Sequence, residues 1–150
     1  SFFHKSEIFS YIFSSSFTLV LNPTRVFSLI STISYFIIIK ERINDNSIGV
    51  YYNYSNENGF EYDCLTGCEV KNKIDEIPED MIKIKIPKGR YAKFVIFGDP
   101  VKAVGEFWYK FWEEFGKEKS DIRNYTYDFE EYIAGNDYEN MEIHIYISIK

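Results

Sequence analysis

The chain is predicted to be an α+β domain in which an antiparallel sheet carries two helices on one face. Three observations carry this prediction. Residues 141–149 alternate strictly, with Ile143, Ile145, Ile147 and Ile149 on one side and His144, Tyr146 and Ser148 on the other, the period-2 pattern of a half-buried strand. Residues 100–115 place Val101, Val104, Trp108, Phe111, Trp112 and Phe115 at three- and four-residue spacing, the apolar stripe of an amphipathic helix. The order strand, helix, strand, strand then occurs twice, a tandem β-α-β-β arrangement that would lay both helices on one sheet face.

Taken in order, the first β-α-β-β unit has a strand at 17–21 (FTLVL) and a buried helix at 26–43, with Thr24 as its cap. Strands at 49–55 and 60–70 follow, around the turn Asn56-Glu57-Asn58-Gly59. A charged connection, 71–80, leads to the alternating run 81–86 and the turn Pro87-Lys88-Gly89. The second unit is a strand at 90–97, the helix at 100–115, and strands at 127–133 and 141–149. Asp99 is a good N-cap and Pro100 suits the first helical turn. Gly116 is placed to end that helix.

The length of 150 residues suits one domain, 1–150. The first 39 residues are atypical, with only Lys5, Glu7 and Arg25 charged. Their two apolar runs, 8–21 and 26–39, are each shorter than the ~18–20 apolar residues of a membrane helix, and no clear export-cleavage site follows. No membrane association is expected. The free-thiol usage of Cys64 and Cys68, spaced C-x3-C without a second ligand pair, predicts no metal site and fits a reducing, cytoplasmic setting.

A net charge of −6 without a basic block argues against direct nucleic-acid binding. With 13 Tyr, 14 Phe and 2 Trp, some rings must fill the core and others are free to line a pocket. The acidic, ring-rich composition suits small apolar or cationic partners. In the strand at 127–133, Tyr127, Phe129 and Glu131 share one face, and Asp128, Glu130 and Tyr132 the other. Spacing alone leaves Glu130 and Glu131 equal as a pocket carboxylate. Trp108 and Trp112 sit on the helical stripe, where rings more often fill the core, so one of the two is expected to reach a pocket. Tyr51 and Tyr52 alternate, and one of them is expected to line it. His144 lacks the Ser, Cys or Asp company of a catalytic base.

Four stretches together resemble the GyrI-like, or AraC-type effector-binding, family of small-molecule-binding domains: 49–70, IPKGRYAKFVIFG at 86–98, FWYKFW at 107–112, and DFEEY at 128–132 followed by EIHIYISI at 142–149. The resemblance begins near residue 39 and covers about two-thirds of the chain. It implies a ligand cleft between the two halves and a small lipophilic, cationic or aromatic ligand, of the kind met in multidrug recognition and transcription regulation. By match, Glu130 would supply the negative charge, and Tyr91, Trp108, Trp112, Tyr132, Tyr146 and Tyr51 would enclose the ligand. No cofactor is implied, and no catalytic residue. The alternatives that the resemblance carries are a hydrolase of cyclopropane-bearing compounds using Glu130, and a protein-interaction module with a gyrase subunit or a regulator as partner. The last strand departs from the family by carrying Ser148 where Pro is usual.

Overall fold

Alternating apolar residues and turn chemistry build strands here, and the strands pair into one antiparallel sheet. The computed structural model describes residues 9–13, 17–22, 39–55, 61–73, 76–77, 81–115, 121–135 and 137–150. The strands are β1 (Phe9–Phe13), β2 (Phe17–Asn22), β3 (Ser47–Tyr52), β4 (Asp63–Val70), β5 (Ile82–Ile86), β6 (Gly89–Gly98), β7 (Tyr127–Tyr132) and β8 (Met141–Ile149). One α-helix is found among the described residues, α1 (Pro100–Phe115). The strand order is β1-β6-β8-β7-β3-β4-β2-β5. Moving every strand four places along the chain returns this order read backwards, with β7 and β3 meeting at the centre.

The predicted strands fall within a few residues of the observed ones. β3 stops at Tyr52 because Asn53 takes a left-handed φ of +52°, a conformation Asn tolerates better than most residues. The predicted helix at 26–43 is different. Residues 26–38 lie outside the described residues, and 39–43 are a turn and a bridge, not helix. Arg42 bridges to Val70, Ile43 N–H donates to Glu69 O at 3.0 Å, and Lys71 N–H donates to Glu41 O at 3.0 Å. The end of β4 thus satisfies these backbone groups in place of helical hydrogen bonds.

β5 and β6 are adjacent in sequence, joined by Pro87-Lys88, yet they do not pair. β5 pairs with β2, and β6 with β1 and β8. Six strand spacings separate them along the sheet, roughly 29 Å if it were flat. The link between Ile86 and Gly89 spans at most about 11 Å. The sheet must therefore curl until its two ends approach. The inward face holds the consequence: Ile86 of β5 and Tyr91 of β6 share one buried cluster with Val50, Leu65, Phe129 and Tyr146.

The outward face carries α1. Lys102 N–H donates to Asp99 Oδ1 at 3.0 Å, so Asp99 caps the helix, and Gly98, at φ +143°, makes the joint from β6. Phe107 and Phe111 are the helix's buried rings and pack with Phe94, Ile143, Ile145 and Ile147. The stripe is rotated from the predicted one: Phe107 belongs to its centre, whereas Val101 is 70% exposed. The reason is angular: Pro100, Val104, Phe107 and Phe111 follow one another at four- and three-residue spacing down the packed side, and Val101 lies about 100° around the helix from Pro100. Replacing Phe111 by Ala is expected to cost about 3–5 kcal/mol in urea unfolding, whereas Val101→Ala should stay within about 0.5 kcal/mol.

Candidate functional site

The site grows from the outward face of β7. Alternation turns Asp128, Glu130 and Tyr132 toward the helix side and Phe129 into the inward core. Glu130 is only 2% exposed. A carboxylate so buried needs donors, and it has three. Tyr51 donates its hydroxyl to Oε1 at 2.9 Å, Trp108 donates Nε1–H to Oε1 at 2.6 Å, and Tyr132 donates its hydroxyl to Oε2 at 2.5 Å. All three are neutral, so among the described residues the carboxylate receives hydrogen bonds without a compensating cation.

Sequence and register both make room for it. β3 pairs with β7 so that Gly49 stands opposite Glu130. A Cβ at Gly49 would sit 3.5 Å from Glu130 Oε2 and 3.9 Å from the Tyr132 ring, so any side chain longer than alanine's would compete with the carboxylate for space. Burial raises the Glu130 pKa above the ordinary carboxylate value, and the bonds from Tyr132, Trp108 and Tyr51 pull it part of the way back. Burial first, and the Glu130 charge second, raise the pKa of both Tyr51 and Tyr132, so these phenols stay protonated donors. Burial and the Glu130 charge likewise push the Cys64 thiol up to about 11, which leaves it a poor nucleophile.

Above Glu130 lies a cavity of about 160 Å³ lined by Tyr51, Tyr54, Tyr62, Trp108 and Trp112. The rings are mutually braced. Tyr51 meets Tyr62 edge-on at 5.5 Å and Trp108 at 5.6 Å, and Tyr54 meets Tyr62 at 5.7 Å. Tyr51 and Trp108 are at once walls of the cavity and donors to Glu130. Donation to an anion enriches their rings in electron density, which strengthens cation–π attraction at their faces.

A second buried carboxylate stands one register step away. Asp128 is 0% exposed. Its Oδ2 takes the Arg123 guanidinium and, at 2.6 Å, the Tyr54 hydroxyl. Its Oδ1 takes the Ser148 backbone N–H at 2.7 Å and the Ser148 hydroxyl at 3.0 Å. Proline at 148 could supply neither donor, so the departure from the family pattern has a structural use in this chain.

Of the residues predicted for the site, Glu130, Tyr51, Tyr132, Trp108 and Trp112 come together here. Both tryptophans line the cavity, where one was expected, because Trp108 and Trp112 are one turn apart on the same helix edge. Tyr51 rather than Tyr52 faces it; Tyr52 stacks on Tyr127 at 5.9 Å on the other face. Tyr91 and Tyr146 are not brought to the site. They are 1% and 5% exposed within the inward core, where both contact Phe129, Tyr146 stacking on it at 4.6 Å. The register pairs Tyr146 with Phe129, and neighbours of Glu130 in β7 point the opposite way. His144 lies between Glu142, at 2.6 Å, and Glu131, at 3.7 Å, away from the cavity. Tyr54, Tyr62, Asp128 and Arg123 went unpredicted. The alternation in 127–133 does put Asp128 on the Glu130 face, the one signal available for it.

Among the described residues no helix is long and apolar enough to cross a membrane. The profile of a family described as "Cass2: Integron-associated effector binding protein" matches residues 29–149, beginning ten residues before the resemblance noted above. No curated protein matches the chain. Among solved structures, the integron cassette protein VCH_CASS2 from the mobile metagenome of Vibrio cholerae is similar at TM-score 0.65 and 17% identity, over 96% of each chain. SAV2435 bound to tetraphenylphosphonium is similar at TM-score 0.71 and 16% identity, over 96% of this chain and 94% of that one. The EcmrR C-terminal domain is similar at TM-score 0.64 and 14% identity, over 95% of this chain and 98% of that one. At these identities the structures speak to the fold alone. On the match of the family profile over most of its length, the chain belongs to the integron-associated effector-binding protein family.

Proposed function

We propose that the chain binds a small lipophilic cation in the aromatic cavity, with Glu130 as the fixed counter-charge beneath it. The observation that carries this is a buried carboxylate whose hydrogen bonds come only from neutral groups, two of them cavity walls. With Glu130 ionised, such a site is one positive charge short of neutrality. A lipophilic cation supplies that charge and the apolar area the rings would otherwise expose to water. The tetraphenylphosphonium held by SAV2435 is a ligand of this chemical kind. Both Glu130 oxygens already accept hydrogen bonds, which suits a fixed charge better than a base that activates water.

In this reading the two halves form a GyrI-like tandem β-α-β-β pair, and the cavity is part of a cleft between them. Tyr51, Tyr54 and Tyr62 come from the first half, and Trp108 and Trp112 from the second. The same pocket serves a stand-alone binder and the effector-binding part of a transcription regulator. Tetraphenylphosphonium titration, followed by tryptophan fluorescence, tests the reading. Glu130→Gln keeps the shape and an acceptor oxygen while removing the charge, and is expected to weaken binding by about 10- to 100-fold. Equal affinity in the two proteins would remove Glu130 from the site.

A further inference from the structure

Behind the cavity the chain holds a cation of its own. Arg123 is 2% exposed. Its guanidinium carbon lies 4.3 Å from the Tyr125 ring centroid, 5.3 Å from Trp112, 5.4 Å from Tyr54 and 5.6 Å from Phe111. Nη2 pairs with Asp128, while Nε and Nη1 are buried without a hydrogen-bond partner. These two nitrogens belong to a guanidinium surrounded by rings, in the manner of an aromatic cage around a cation. Tyr125 takes a left-handed φ of +53°, uncommon for a bulky residue, and places its ring nearest the guanidinium. Two of the cage rings, Tyr54 and Trp112, also line the cavity.

The charges can be counted. Among the described residues Glu130 and Asp128 are the two buried carboxylates, and Arg123 is the buried cation beside them. Asp128 is neutralised by Arg123 and Glu130 by no cation among the described residues, which leaves a single negative charge for a ligand to answer. We infer that Arg123 is a specificity-determining residue: by filling the rear aromatic cage with its own positive charge, it restricts the cavity to ligands carrying one positive charge. A dication seated on Glu130 would bring its second charge toward Arg123 across Tyr54 and Trp112, where like charges repel through rings and not through water. This inference rests on the proposed role of Glu130 as counter-charge.

The test compares tetraphenylphosphonium with an alkane-linked bis-triphenylphosphonium, titrated against the full chain as wild type, Arg123→Met, Arg123→Lys and Glu130→Gln. Wild type is expected to favour the monocation. Arg123→Met should move the dication-to-monocation affinity ratio by about tenfold or more toward the dication, and Arg123→Lys, which keeps the charge, should hold the ratio near wild type. Arg123→Met leaves Asp128 buried and unpaired. If it does not fold, Arg123→Met/Asp128→Asn removes both charges and should shift the ratio the same way by a smaller factor. An unchanged ratio in whichever of these two variants folds overturns the inference. The proposed role of Glu130 fails separately, by Glu130→Gln binding both probes as wild type does.

Discussion

Asp128→Ala is expected to destabilise the fold by about 3–5 kcal/mol, a large part of the stability of a domain this size. The side chain is 0% exposed and is the common acceptor for Arg123, Tyr54 and Ser148. Removing it strands a guanidinium in which Nε and Nη1 already lack a hydrogen-bond partner among the described residues. It also leaves the Tyr54 hydroxyl and the Ser148 N–H without their acceptor, each carrying a desolvation penalty. Urea unfolding followed by circular dichroism measures the loss. A change under about 1 kcal/mol would mean that water or a rearranged chain replaces the carboxylate.

The second large effect is pH-dependent and has opposite signs for stability and for binding. The folded-state pKa of Glu130 lies above the ordinary 4.5, with burial as the main cause. Folding therefore favours the protonated acid. The stability Glu130 contributes is fully present below about pH 4.5 and is lost as pH rises through the folded value. Cation binding needs the carboxylate, so affinity rises over that same interval, by up to about tenfold per pH unit below the folded pKa. Above that pKa the affinity levels off. A bound cation stabilises the charged form and draws the pKa back down. Titrating tetraphenylphosphonium from pH 4.5 to 8 should give this rise in wild type and a flat profile in Glu130→Gln. A wild-type profile as flat as the variant's would place the cation's counter-charge elsewhere.

Much of this architecture is legible in the chain because it is local. Ile143 to Ile149 alternate, and β8 is a strand; Asp99 and Pro100 start a helix because capping and a fixed φ act over a few residues. The stretch 39–43 shows where local reading stops. There the backbone of Glu41, Arg42 and Ile43 pairs with the end of β4, at Glu69 and Val70 and at Lys71 just beyond, distant in sequence, instead of forming helical bonds. The curl of the sheet is equally invisible locally. Pro87-Lys88-Gly89 looks like an ordinary turn, yet it joins strands that lie six places apart.

The site divides along the same line. Alternation puts Glu130 and Tyr132 on one face of their strand and Glu131 on the other, whatever surrounds them. It also sets Tyr51 apart from Tyr52. Which face meets the helix and which turns into the core depends on strand pairing, because a one-residue change of register would exchange them. That is why Tyr91 and Tyr146, candidates by resemblance, lie in the core beside Phe129, while Tyr54 and Tyr62, which no pattern marks, line the cavity. The sequence by itself determined the strands, the capped helix and the carboxylate-bearing face, since each follows from neighbours a few residues apart. Folding in three dimensions set Gly49 against Glu130, brought Tyr51 and Trp108 onto one carboxylate oxygen, and closed four rings around Arg123, because those contacts join segments whose separation along the chain leaves no periodic trace.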